Sequence, residues 1–267
     1  MEKTFHFLSG LPRSGSTVLT AILNQHPEVY ATPTSPLLDI LISNQKIWHE
    51  TQQVRANPIG EQLTNITRRL IGAMWKHRPE PIIIDKNRGW GKNMPASVIL
   101  FEKEIKIVMT VRDLPSIMAS WLKLLKTNPG NHIDQSIISN GLQITDETRT
   151  MEMWNNMVRD CYESVSQAVK DARNTILIIE YDDLMENPKS TLSSIEDFLE
   201  LTKYEYDFNN IINNTNDDDL SAWGLDGMHT IRSTLEKTSE SPQTILGDDL
   251  FEKFKDIERS YRGQYGW

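Results

Sequence analysis

The segment LSGLPRSGSTVL, residues 8–19, constrains this chain more than any other. Its spacing, G-x-x-x-x-G-x-[ST] from Gly10 through Gly15 to Thr17, is the frame of a phosphate-binding loop. TFHFLSG ahead of it reads as a short buried strand. STVLTAILNQHP behind it reads as a helix, with Val18, Leu19, Ile22 and Leu23 on one face and Pro27 just past its end. Strand, glycine loop and helix N-terminus in succession aim backbone N–H groups at an anion. ATP- and GTP-using loops carry a lysine after the second glycine to reach the outer phosphates, and here Ser16 stands in its place. The loop therefore suits a ligand with one phosphate at that point. Arg13 can supply the cation, and Ser14, Ser16 and Thr17 can supply hydroxyl donors.

Three further runs, PIIIDK (81–86), IKIVMTVRD (105–113) and TILIIEYDDL (175–184), are rich in Ile and Val and nearly unbroken in apolar character. Strands buried on both faces of a parallel sheet read this way. Helical segments lie between them. In MWNNMVRDCYESVSQAVKDA, residues Trp154, Met157, Val158, Cys161, Val165, Ala168 and Val169 recur at helical spacing, so the one cysteine reads as a small core residue. NPKSTLSSIEDFLEL opens with Asn187 as N-cap and Pro188 at the first helical position.

This alternation predicts an α/β chain, with a P-loop-like three-layer fold around a central, mainly parallel sheet and a single domain over residues 1–267. Ligands bind such sheets at the carboxyl ends of the strands, where Gly10, Asp85, Arg112 and Tyr181 fall. The helical insertions over 36–79 and 121–150 are expected to wall or cover the site. NNIINNTNDDDL (209–220) reads as an irregular loop.

A net charge of −9 argues against nucleic acid as a partner, so any anion site is a local cluster of basic groups on an acidic body. With one cysteine no intrachain disulfide can form, and no run approaches the length of a transmembrane helix. The first strand begins at Thr4 without a secretory apolar region before it. The expectation is a cytoplasmic protein with no membrane span.

VRDLPSIMASWLK places Arg112 at a strand end and Ser120 eight residues later, on a helix whose first turn can hold Pro115. The two can converge on a second phosphate outside the glycine loop. Together, GLPRSGST, VRDLPSIMAS and IIEYDDLMENPKSTLSSIEDFLEL resemble the sulfotransferases that use 3′-phosphoadenosine 5′-phosphosulfate (PAPS). LPRSGSTVLTAILNQHP, down to His26-Pro27, is similar to the N-terminal motif of tyrosylprotein sulfotransferases.

The resemblance implies that Arg13, Ser14, Gly15, Ser16 and Thr17 hold the 5′-phosphosulfate, that Arg112 and Ser120 hold the 3′-phosphate, and that Tyr181 lies near the adenine. It implies Arg13 and Lys86 as the catalytic cations and adenosine 3′,5′-bisphosphate as the product, with no metal required. A late basic loop closes over the donor in this family; Arg232 and Lys237 are the candidates here, although the family's R-K-G-x-x-G form is not present. The acceptor expected is the hydroxyl, or amine, of a small molecule, lipid or sugar.

The general base is left open. Cytosolic sulfotransferases carry a His two residues after the strand-end lysine, and Arg88, a poor proton acceptor, stands there. Tyrosylprotein sulfotransferases use a Glu shortly after the His-Pro pair, where this chain has Thr34. Asp39, His49, Glu50, His132 and His229 remain as candidates. Asp85, closing an apolar run, sits where a Walker-type carboxylate would, which keeps a P-loop kinase open as an alternative; a catalytically silent nucleotide-binding relative is another. Trp48, Trp75, Trp90 and Trp121 are candidates for an apolar wall around the acceptor.

Overall fold

The computed structural model describes residues 3–94, 101, 105–213, 217–237 and 240–265. Five strands, β1 (Thr4–Gly10), β2 (Val29–Ala31), β3 (Ile82–Lys86), β4 (Ile107–Val111) and β5 (Ile176–Glu180), form one sheet in the order β2-β3-β1-β4-β5. Every pairing is parallel, with Phe7 opposite both Asp85 and Ile107. The chain leaves β3 on one side of β1 and returns as β4 on the other. A crevice therefore opens at the carboxyl end of β1, where the glycine loop begins.

Thirteen α-helices accompany the strands among the described residues: α1 (Ser16–Leu23), α2 (Leu37–Glu50), α3 (Gln52–Ala56), α4 (Gly60–Met74), α5 (Leu114–Thr127), α6 (His132–Ser139), α7 (Asp146–Met153), α8 (Arg159–Ala172), α9 (Tyr181–Glu186), α10 (Pro188–Leu199), α11 (Asp219–Trp223), α12 (Pro242–Leu246) and α13 (Asp248–Tyr265). Strand side chains alternate between the faces. Phe7, Ile83, Ile107 and Met109 pack on one side with α5, α8 and α13, while Leu8, Ile84 and Val108 pack on the other with α1 and α10. The expected three layers are present. No helix among the described residues is long and apolar enough to cross a membrane.

Several expectations are corrected. The third apolar run stops being strand at Glu180, and Tyr181–Glu186 turns into α9, whose first turn carries Asp182 and Asp183; acidic residues favour a helix N-terminus. The short edge strand β2 was not anticipated. Trp90 and Trp121 are fully buried and Trp75 nearly so, all in the core beneath the sheet, so they form no acceptor wall. Of the 121–150 insertion, α5 packs against α7, α12 and α13, and nothing beyond Thr127 lines the strand-end cavities described below. Residues Met228–Glu236 supply that wall instead.

Candidate active site

The glycine loop is set by close backbone packing. Gly10 has φ of +123°, and a Cβ there would stand 2.1 Å from the Thr110 carbonyl oxygen of β4. Gly15, at φ +86°, caps α1, and Arg13 holds a left-handed backbone at φ +57°, a conformation uncommon for a side-chain-bearing residue and concentrated at functional sites. Ser14 points inward: its fully buried hydroxyl lies 2.6 Å from the Leu11 carbonyl oxygen and 2.7 Å from Thr110 Oγ1. Without a ligand its hydroxyl ties the loop to β4.

Side chains distant in sequence converge above this loop. Arg13 Nε donates to Ser120 Oγ at 2.9 Å, and its Nη1 donates to the Met228 carbonyl oxygen at 2.6 Å. Arg112 Nη1 donates to the Arg13 carbonyl oxygen at 3.1 Å, and its guanidinium lies 4.0 Å over the Tyr181 ring. α5 brings Ser120 here because Asp113 caps it, accepting from the Ser116 N–H at 2.8 Å, directly after β4 delivers Arg112. Lys86, at the tip of β3, reaches Thr17 Oγ1 at 3.4 Å.

Burial, then Arg88 and Arg112, push the Arg13 guanidinium down to about 10. Burial, then Arg88, push the Lys86 ammonium down to about 7 against the opposing pull of Asp217. Among the described residues, none of Arg13, Lys86, Arg88 or Arg112 sits in an ion pair. Four cations held together without a salt-bridge partner favour an anion between them.

Two cavities meet here. The first, about 250 Å³, is lined by Arg13, Gly15, Thr17, Arg112, Ser120 and Tyr181. The second, about 230 Å³, is lined by Gly10, Thr34, Ser35, Asp39, Lys86 and Trp223. Four residues line both: Ser16, Arg88, Met228 and His229. A group able to reach from one cavity into the other passes between these side chains.

The remaining candidates are sorted by the same geometry. Lys237 lies outside both cavities, paired with Asp182 at 2.9 Å and Glu186 at 2.7 Å on α9; with Arg112 and Ser120 it lines a third cavity beside the first. Arg232 lines the first cavity. Asp85 is fully buried, accepting from Ser35 Oγ at 2.5 Å and Trp90 Nε1 at 2.9 Å, and burial raises its pKa to about 6. With both oxygens committed inward and neither cavity touched, it is not placed as a metal-side carboxylate of the loop. His49, Glu50 and His132 are exposed and line neither cavity. Arg88 was read only as an unsuitable base, yet it lines both cavities. The backbone carbonyl of Met228 and the Asp219–His229 contact come from short α11 and the turn after it, with no periodicity to betray them.

A model of the Sulfotransferase family matches residues 7–206. The chain is 24% identical over 209 residues to protein-tyrosine sulfotransferase A of Caenorhabditis elegans, covering 74% of this chain and 50% of that protein. It is 23% identical over 207 residues to the protein-tyrosine sulfotransferase of Drosophila melanogaster, covering 75% and 38%. The chain thus spans half the length, or less, of these two curated relatives. Among solved structures it superimposes on sulfotransferase STF9 from Mycobacterium avium with a TM-score of 0.56 at 12% identity, covering 99% of this chain and 77% of that one. It also superimposes on the sulfotransferase domain from the curacin biosynthetic pathway, with a TM-score of 0.54 at 15% identity over 100% and 98% of the two chains. At these identities the structural likeness is one of fold.

Proposed function

The chain belongs to the sulfotransferase family, and from that premise we propose that it transfers the sulfuryl group of PAPS to a hydroxyl or amine acceptor and releases adenosine 3′,5′-bisphosphate. The observation that carries this reading is the meeting of Arg13, Arg112 and Ser120 on one cavity that joins a second through Ser16, Arg88, Met228 and His229.

The residues present fit such a donor. An unpaired cation cluster around a glycine loop offers two separated anion positions. The loop backbone from Arg13 to Thr17, with Lys86, would hold the 5′ side; Arg112 and Ser120 would hold the 3′-phosphate, with Tyr181 beside the adenine. Lys237 is a weaker donor contact in this reading and needs its carboxylate partners to release it. When bound, PAPS supplies an activated sulfuryl group. Displacement at sulfur in line with the acceptor is favoured mostly by positioning and charge stabilisation. Arg13 and Lys86 stand where charge on the leaving phosphate would be offset. Because four side-chain cations supply that charge, we propose that no metal is required. The second cavity is polar at Thr34, Ser35, Asp39 and Asn87 and accommodates the reactive end of a small molecule, lipid headgroup or sugar.

The test is calorimetric binding of adenosine 3′,5′-bisphosphate in EDTA, beside ATP with Mg²⁺, for wild type and Arg112→Ala. The reading expects metal-independent binding of the bisphosphate, lost by about 10- to 150-fold in Arg112→Ala, the worth of a hydrogen bond to a charged group. Binding of Mg²⁺–ATP alone would make the sulfotransferase reading wrong for this site.

A further inference from the structure

We propose that His229, oriented by Asp219, is the general base that takes the acceptor's proton. The inference rests on the sulfotransferase reading above and fills the position where Arg88 and Thr34 replace the bases expected by resemblance.

Place comes first. His229 is one of four residues lining both cavities, and of the five base candidates it alone borders the junction. Asp39 lines only the second cavity, where its carboxylate accepts from Asn87 Nδ2 at 3.0 Å. Ser16 and Met228 offer no base, and Arg88 is a permanent cation.

Geometry comes second. A carboxylate only accepts, so His229 Nδ1–H donates to Asp219 Oδ1, at 2.5 Å. The other oxygen, Asp219 Oδ2, accepts from the His229 backbone N–H at 2.7 Å. One buried carboxylate thus grips residue 229 twice, fixing the ring's orientation and leaving the lone pair on Nε2. Among the described residues no group hydrogen-bonds that nitrogen. Asp219 itself lines neither cavity and acts through the ring, as a positioning residue.

The surroundings suit the step. Arg13, Lys86 and Arg88 border the cavities next to His229, and Asp217 lies 3.6 Å from its Nδ1. In the step, the acceptor O–H bond breaks and its proton moves to Nε2, while the oxygen forms a bond to sulfur. The bond from sulfur to the 5′-phosphate oxygen breaks, and its electron pair leaves on the bisphosphate beside Arg13 and Lys86. Asp219 offsets the charge the ring has gained, and the proton then passes to solvent.

The experiment follows cleavage of radiolabelled PAPS in water alone and with glycerol, glucose or tyramine added, while bisphosphate affinity is measured in parallel. For His229→Gln the expected result is a turnover loss of about 10²- to 10⁴-fold, the usual worth of a positioned base, with bisphosphate Kd changed by less than about threefold. Added imidazole should restore part of the rate to His229→Ala. Asp219→Asn should lower kcat without moving the PAPS KM, and Asp219→Glu should recover part of that loss. The proposal is overturned if His229→Gln turns over at the wild-type rate, if its bisphosphate affinity falls in step with its rate, or if wild type binds the bisphosphate yet cleaves no PAPS with any of these acceptors. Failure of wild type to bind the bisphosphate at all would instead remove the sulfotransferase reading beneath it.

Discussion

Arg13 Nε and Ser120 Oγ are hydrogen-bonded at 2.9 Å although 107 residues separate them. The bond joins the middle of the glycine loop to the second turn of α5, and so links the two proposed anion positions. Arg112 closes the same circuit from the tip of β4 by donating to the Arg13 carbonyl oxygen. Arg13, at the centre of this circuit, holds a left-handed backbone at φ +57°.

Ser120→Ala should therefore act on one end of the ligand. In the proposed reading its hydroxyl serves the 3′-phosphate, so affinity for adenosine 3′,5′-bisphosphate should fall by about 3- to 10-fold, the worth of one hydrogen bond. Affinity for 5′-AMP, which has no 3′-phosphate, should change by less than about twofold. Calorimetry with both nucleotides checks this, and equal losses for the two would take Ser120 out of the 3′ contact.

Lys86 gives a proton-linked signature. In the unliganded protein burial holds it at about 7, against 10.5 in an open chain. Across that window the unfolded state carries more protons than the folded state, so stability of the unliganded protein should rise as pH rises from 7 to 10.5. An anion beside Nζ favours the ammonium, so bisphosphate binding near pH 7–8 should take up protons. Calorimetry in buffers of different ionisation heat measures that uptake. Lys86→Met should abolish it and flatten the pH dependence of the melting temperature; persistence of both would move the linkage to another group.

Much of this site was legible before the fold was known, for identifiable reasons. Gly10, Gly15, Arg112 and Ser120 lie in short segments where one turn of chain sets the geometry, so spacing alone carries them into the structure. β2 escaped because it is three residues long and held from outside. It pairs with Ile82–Ile84 of β3, and the Asn24 side chain clasps both the N–H and the carbonyl of Ala31 at 2.8 Å. The inward turn of Ser14 escaped because its partner, Thr110, lies on another strand. Asp219 opens α11 and His229 lies ten residues on, beyond the turn at Gly224–Gly227, and nothing in the local pattern pairs the two. What local chemistry determines was readable; what tertiary contact determines was not.

Asp85 carries an expectation of opposite sign to Lys86. Its carboxyl is raised by burial to about 6 from 3.8. The folded state holds a proton between those values that the unfolded state has lost, so its contribution to stability is full below 3.8 and is lost as pH rises through 6. Asp85→Asn should flatten that fall in a urea or thermal series from pH 4 to 6.5. Because Asp85 lines neither cavity, the variant should still bind the bisphosphate in EDTA. Loss of binding together with a new Mg²⁺ effect would return the carboxylate to the ligand's side.

Ser14 and Thr17 are hydroxyls of one loop with opposite fates, and a pair of substitutions separates them. Ser14 Oγ is fully buried between Leu11 and Thr110, so Ser14→Ala leaves those partners unsatisfied and should cost about 1–3 kcal/mol of stability. Thr17 lines the first cavity, and among the described residues its Oγ1 has only the long 3.4 Å contact with Lys86. Thr17→Val, nearly equal in volume, should change stability by no more than about 0.5 kcal/mol. For binding the order reverses: Thr17→Val removes a donor that faces the ligand and should weaken the bisphosphate by about tenfold, while Ser14→Ala should leave the affinity of the folded fraction intact. Thermal denaturation and calorimetry on both variants decide it. A Ser14→Ala protein that melts normally but binds poorly would mean that the hydroxyl turns outward when the ligand arrives, and that the loop rearranges around its anion instead of waiting in the bound shape.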